Sequence, residues 1–217
     1  MQGDITIEQI RAEYVDRMGR ELGSLCCDLR DDVDWLRHKW GEFLELFGKG
    51  PERIELLNKV ASNFFYILNQ LLFEDAMLHL RRLTDPPVSR SQENLTLLSL
   101  AELIADQQFS AQVRKEAEEV KEKCKFARMW CNKRLAHADL MTLRDKCAPP
   151  LPAVTSQDID SALGSIHALL NTVEQHYGVA LCALGHDPFA AKSLVRFLEK
   201  AIQAEERQDR PRQGDHT

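Results

Sequence analysis

Apolar residues recur at every third or fourth position through most of this chain, with polar residues filling the intervals. From Ile10 through Tyr14, Met18, Leu22, Leu25, Leu29, Val33, Leu36, Trp40 and Leu44 to Phe47 the steps never leave helical spacing, which predicts one long amphipathic run. Gly19 and Gly23 interrupt it. A glycine inside a helix costs up to about 1 kcal/mol relative to alanine, so a kink or break near Gly23 is expected. Gly48-Lys49-Gly50-Pro51 then stops one helix and starts another, with glycine past the end and proline in the first turn.

The second pattern runs from Pro51 through Ile54, Leu57, Val60, Phe64, Phe65, Leu68, Leu71, Leu72, Met77 and Leu78 to Leu83. Between Phe64 and Leu83 apolar residues cover most of the circumference, which predicts a central helix packed on several sides. Asp75, His79 and Arg82 stand at i, i+4, i+7 and form one polar line on that cylinder. A buried carboxylate needs a cation, so Asp75 should find one on its own helix or on the later helix that ends in His137. Thr84-Asp85-Pro86-Pro87 ends the helix, because the residue before a proline is driven out of the helical region.

Downstream, residues 88–94 read as a polar loop and residues 95–104 as a short amphipathic helix. Ser110 is the expected N-cap of a helix running to about Ala138, with a solvated charged half. Cys147-Ala148-Pro149-Pro150-Leu151-Pro152 is an extended connector. Thr155 or Ser156 caps a helix striped by Ile159, Leu163, Ile166, Leu170, Val173 and Tyr177, and Asp187-Pro188 opens a last one through Val195, Leu198 and Ile202. No strand period and no repeat appears. The predicted architecture is all-α, a multi-helix bundle of long helices forming one domain over residues 1–205, with a polar, disordered tail at 206–217.

Composition narrows the partners. A chain of 217 residues can bury roughly 70% of its unfolded surface, enough for one large core. No apolar run approaches the ~18 residues of a membrane span, and Met1-Gln2-Gly3-Asp4 does not open a secretory signal, so a cytoplasmic protein without membrane partners is expected. A net charge of -6 argues against a protein that coats nucleic acid without preference. The basic residues nevertheless cluster, at Arg81-Arg82 and from Lys121 to Lys133. The six cysteines include no Cys-x-x-Cys pair and no histidines at ligand spacing near them. They read as reduced apolar fillers, and neither a metal site nor a cofactor is predicted.

The candidate chemistry lies in residues 126–140. At ~100° per residue, Trp130, Lys133 and Arg134 fall within about a third of a turn of His137, so two cations and an aromatic ring flank one imidazole. Such a group can hold a phosphate. A histidine beside cations is neutral near pH 7 and able to accept a proton from a hydroxyl. The same residues also fit a plain helix C-terminus, with Lys133, Arg134 and His137 complementing the macrodipole and Asp139 pairing with one of them. Asp75, His79 and Arg82 divide likewise between an internal ion pair and support for the site.

Taken together, the segment from Leu71 to Pro87, with Phe73-Glu74-Asp75-Ala76-Met77-Leu78-His79-Leu80-Arg81-Arg82, and Asn132-Lys133-Arg134-Leu135-Ala136-His137-Ala138-Asp139-Leu140 resemble the AbiU-like branch of the HEPN superfamily. The order of elements, from Leu22-Gly23 and Trp35-Leu36 through Phe64-Phe65 to Glu174-Gln175-His176-Tyr177, extends the resemblance over residues 15–180. It implies a helical bundle that forms a homodimer, with motif helices of both protomers lining a shared cleft. It further implies a metal-independent endoribonuclease of toxin-antitoxin or abortive-infection systems, with RNA as substrate and an antitoxin protein as partner. The family motif is an arginine, a polar residue and, after an interval, a histidine. Here the histidine is His137, the polar residue is Asn132, and the arginine position falls on Cys131. A thiol has no fork of donors for phosphorane charge. Arg134, Lys133 or Arg128 are the candidate substitutes, although Arg128 lies nearly opposite His137 on an ideal helix. Catalysis is thus assigned to His137, Asn132 and Arg134, substrate binding to Lys133, Arg128 and Trp130, and support to Asp75, His79, Arg82 and Asp139. The alternative is a catalytically degenerate HEPN fold that binds RNA, a nucleotide or a protein.

Overall fold

Helix α1 (Ile7–Met18) begins in a capping box in which the Thr6 hydroxyl accepts from the Gln9 backbone N–H while the Gln9 side chain accepts from that of Thr6. It ends at Gly19, whose φ of 81° lies in the region that disfavours a β-carbon. The expected break is therefore at Gly19 and not at Gly23, which lies inside α2 (Arg20–Phe47). Gly23 serves close packing instead. A β-carbon there would lie 2.4 Å from the Tyr14 carbonyl oxygen, so its hydrogen lets α2 press against the end of α1.

The computed structural model describes residues 6–136, 153–180 and 188–208. After α2, the chain enters α3 (Pro51–Arg82) with proline at its first position, as the sequence predicts. A two-stranded hairpin, β1 (Val88–Ser89) and β2 (Gln92–Glu93), replaces the expected featureless loop and turns through Arg90 and Ser91 at positive φ. A 3-10 turn (Leu97–Ser99) leads into α4 (Leu100–Leu103). The N-cap of α5 (Gln107–Lys123) is Asp106, whose carboxylate accepts from the N–H groups of Gln108 and Phe109. Ser110, the expected cap, stands in the first turn and donates to the Ala101 carbonyl. The long helix expected to reach Ala138 is broken at Cys124, resumes as α6 (Lys125–Trp130), and widens into a π-helix over Cys131–Ala136. Helices α7 (Ser156–Tyr177), capped by Thr155, and α8 (Phe189–Gln208) complete the described chain. The all-α architecture holds, and among the described residues the sheet is one hairpin of two two-residue strands.

The chain divides into two compact units, Met1–Arg37 with Asp75–Leu184 and His38–Glu74 with Gly185–Thr217; α2 and α3 supply residues to both. In the first unit, Leu29, Leu36, Met77, Leu80, Val113, Ile159, Ile166 and Leu170 are buried. Within it lies a buried ion pair, Arg30 with Glu174, joined by Tyr14 and Asn171. The second unit centres on Leu46, Leu57, Phe65, Ala191 and Val195. There Glu42 of α2 accepts from the backbone N–H groups of Ala190 and Ala191 at 3.3 and 2.6 Å, placing a carboxylate at the positive end of α8.

The middle of α3 is left uncovered on one side by the described residues. Ala61 leaves the helical region (φ -159°, ψ 71°), and beyond it Phe64, Ile67 and Leu71 are 60%, 49% and 58% exposed. Apolar residues around a helix state that many faces seek cover; they do not state that the same chain supplies it.

Candidate functional site

The site is built where the end of α3 meets α6 within the first unit. Residues before Pro86 cannot continue α3, so its last carbonyls need other donors. Arg128 of α6 provides them: Nη2 donates to the Thr84 carbonyl at 2.8 Å and Nη1 to Asp85 Oδ1 at 2.8 Å. Arg128, assigned to substrate binding from the sequence, is thus anchored to the end of α3 while still partly exposed on a cavity of about 590 Å³. Arg114 and Lys121 of α5 open onto the same cavity, over a floor that includes Pro86 and Pro87.

The polar residues Asp75, His79 and Arg82 of α3 are joined by one from α2. His79 Nδ1 donates to the Asp75 carbonyl at 3.0 Å and lies 3.4 Å from Asp75 Oδ1; its Nε2 faces Asp32 at 3.8 Å. Arg82 pairs with the same Asp32. Asp75 therefore has its cation-forming neighbour on its own helix. Asp32 is the residue that sequence reasoning missed. Its signal was a carboxylate between Leu29 and Val33 on the edge of the buried stripe, a place where a charge persists only with partners. One of its oxygens, Oδ2, is buried and has no hydrogen-bond partner among the described residues. Asp75, His79, Arg81, Arg82 and Asp85 line an open groove of about 330 Å³.

On the α6 side, Trp130 is buried and Cys131 is fully buried, whereas Asn132 and Lys133 are exposed. Burial pushes the pKa of the Cys131 thiol up, and the positive charge of Arg81 on α3 pulls against it. Because Cys131–Ala136 is π-helical, the α-helical step of ~100° that grouped Trp130, Lys133 and Arg134 with His137 does not apply across it. The Arg134 side chain, His137 and Asp139 lie outside the described residues. Of the cysteines, Cys26, Cys27, Cys124 and Cys131 are buried free thiols.

What the junction can do is hold an anion. Arg128 lines one cavity at the end of α3 and Arg81 and Arg82 a second, each with carboxylates nearby, and the exposed Asn132 and Lys133 follow α6 directly in the chain. The family model described as AbiU2 matches residues 21–203, a span that includes every residue of this junction. The chain belongs to the AbiU2 family of HEPN proteins, a family associated with abortive infection. No curated protein and no solved structure matches the chain.

Proposed function

We propose that the protein is a metal-independent endoribonuclease acting in the cytoplasm as the toxin of a toxin-antitoxin or abortive-infection system, on RNA and under the control of an antitoxin protein. The observation that carries this reading is the AbiU2 match over residues 21–203, supported by basic residues on two cavities at the end of α3, Arg81 and Arg82 on one and Arg128 on the other, in a chain whose net charge is -6. In the proposed reaction, the RNA 2′-hydroxyl gives its proton to the imidazole of His137 and its oxygen bonds to phosphorus. The bond from phosphorus to the 5′-oxygen breaks, and that oxygen takes a proton from an imidazolium. Asn132 orients the phosphodiester, and Lys133 and Arg134 hold its charge. The products are a 2′,3′-cyclic phosphate and a 5′-hydroxyl. Two histidines, one per protomer of a homodimer, would serve as base and acid. Support for the homodimer is the uncovered stripe Phe64, Ile67 and Leu71 on α3.

The test is incubation of purified protein with RNA in chelator, with product ends mapped. Cleavage leaving a cyclic phosphate, abolished by His137→Ala, supports the reading; uncut RNA together with host toxicity unchanged in His137→Ala refutes it. A second reading, a HEPN fold that binds RNA, a nucleotide or a protein without turnover, is favoured by one observation: Cys131 at the arginine position. It predicts that cleavage is absent from the parent and gained in Cys131→Arg.

A further inference from the structure

Helix α8 commits one face to the core of the second unit, where Ala191, Val195 and Leu198 pack with Leu46, Leu57 and Phe65. Its opposite face is basic and aromatic. At ~100° per residue, Lys192, Arg196 and Lys200 fall within ~80° of one another on that outward side, with Phe189 among them and Phe197 about 60° beyond Lys200. The three cations are exposed, and the two rings are 71% and 61% exposed, so water covers most of each. The Arg196 guanidinium carbon lies 5.8 Å from the centroid of the Phe197 ring, close enough for a cation–π contact. Glu199 borders the face beside Lys192, and Glu42 of α2 is taken up by the backbone N–H groups of Ala190 and Ala191. Farther along, Glu206 pairs with Lys59. Arg196 and Lys200 have no carboxylate in ion-pair contact among the described residues.

We propose that this face of α8 binds single-stranded RNA, with bases stacking on Phe189 and Phe197 and with Lys192, Arg196 and Lys200 against the phosphates. Every base has a π-face, so exposed rings interleaved with cations hold a single strand without reading its sequence. The rings stand eight residues apart, about 12 Å along the axis, with the cations spread over the same length. An anionic bilayer fits this face less well. A helix lying in a membrane surface buries a broad apolar stripe, whereas the apolar stripe of α8 is already used inside the unit and only the two rings remain outside. That the polyanion is RNA rests on the ribonuclease reading above. The consequence is a second contact with substrate, on the second unit, that supplies affinity without chemistry.

The experiment measures binding of a labelled 2′-O-methyl RNA oligonucleotide, whose blocked 2′-hydroxyl prevents cleavage, by fluorescence anisotropy over a range of salt concentrations. The proteins are the parent, Phe197→Ala, Phe197→Trp and the triple variant Lys192→Gln/Arg196→Gln/Lys200→Gln. All these side chains are exposed, so melting temperatures should stay at the parental value. Phe197→Ala should weaken binding about 5- to 150-fold for one lost stacked base, and Phe197→Trp should keep parental affinity or exceed it. The triple variant should lower the slope of log K against log salt by about 2, from roughly 0.7 for each of three phosphate contacts. The same oligonucleotide annealed to its complement should bind more weakly, because its bases are already stacked on one another. Unchanged affinity in Phe197→Ala, or an unchanged salt slope in the triple variant, overturns the inference. So does sedimentation of the parent with vesicles of phosphatidylcholine and phosphatidylserine when it binds no oligonucleotide, which assigns the face to a membrane. Cleavage of unmodified RNA in chelator is scored separately: its absence in the parent refutes the ribonuclease reading, while binding that depends on Phe197 and the three cations still upholds the site on α8.

Discussion

Arg30 of α2 and Glu174 of α7 form a two-pronged ion pair inside the first unit, Nε to Oε1 at 2.8 Å and Nη2 to Oε2 at 2.5 Å. Both charges are almost wholly removed from solvent, with side-chain exposures of 11% and 2%. Further partners join them: the Tyr14 hydroxyl donates to Glu174 Oε1 at 2.6 Å, Arg30 Nη2 donates to Asn171 Oδ1 at 2.8 Å, and Nη1 lies 2.9 Å from His167 Nδ1. A guanidinium nitrogen can only donate, so His167 accepts through Nδ1 and carries its hydrogen on Nε2.

Breaking this pair from one side should be far worse than removing it whole. Arg30→Ala or Glu174→Ala leaves a buried charge unpaired, and a loss of about 3–5 kcal/mol is expected in denaturant unfolding. The double variant Arg30→Met/Glu174→Leu should recover much of that loss, because no orphaned charge remains. Equal instability of single and double variants would show that the network acts through shape alone.

High pH should destabilise the fold. Burial pushes the Cys26 thiol far above its ordinary value of 9.0, and burial with the hydrogen bond to Glu174 does the same to Tyr14 above 10.0. Burial pushes Cys124 to about 12. All three are acids held protonated by folding, so the native state binds more protons than the unfolded chain once pH exceeds the unfolded values. Stability is then undiminished below about pH 9 and falls as pH rises beyond it. The melting temperature should be flat up to about pH 9 and drop towards pH 12, and Cys26→Ala should make that drop shallower.

Two glycines in helices should respond to alanine with opposite signs. At Gly23 the new methyl would meet the Tyr14 carbonyl at 2.4 Å, a backbone group with little room to yield, so a loss of about 1–3 kcal/mol is expected. At Gly164, inside α7 and exposed, nothing lies within 4 Å of the added carbon. There alanine should stabilise by about 0.5–1 kcal/mol through helix propensity. Chemical unfolding of the two variants checks both.

The uncovered stripe on α3 gives the homodimer a direct test. Charge placed on it, as in Ile67→Glu or Leu71→Glu, should convert a dimer to a monomer in sedimentation experiments, with little change in helix content by circular dichroism. A parent that is already monomeric would dispose of the dimer, and with it the use of a partner's histidine.

Much of this fold could be read from spacing and punctuation. Pro51, the Thr84-Asp85-Pro86 stop and the Thr155 cap act through local backbone geometry, and the structure places the helix ends there. The stripe from Ile159 to Val173 is buried as its period requires. Where sequence and structure part, competing local signals or distant partners decided. Asp106 outcompeted Ser110 because its carboxylate reaches two backbone N–H groups at once. Gly19 and Gly23 carry the same propensity penalty, and the positive φ of one and the approach of Tyr14 to the other separate their uses. For the site, the line Asp75, His79, Arg82 was visible as a period, whereas Asp32 comes from a helix far away in sequence. His137 and Asp139 were identified from sequence alone.

The π-helical turn over Cys131–Ala136 has a consequence for how this region tolerates length changes. Such a turn holds one residue more than an α-helical turn, so a single deletion inside it can be absorbed by reverting to ordinary helix. The bonding ladder would close again, yet everything downstream would swing by roughly 100° about the helix axis. A one-codon loss here would therefore leave the helical ladder closed while turning the chain that follows relative to α6.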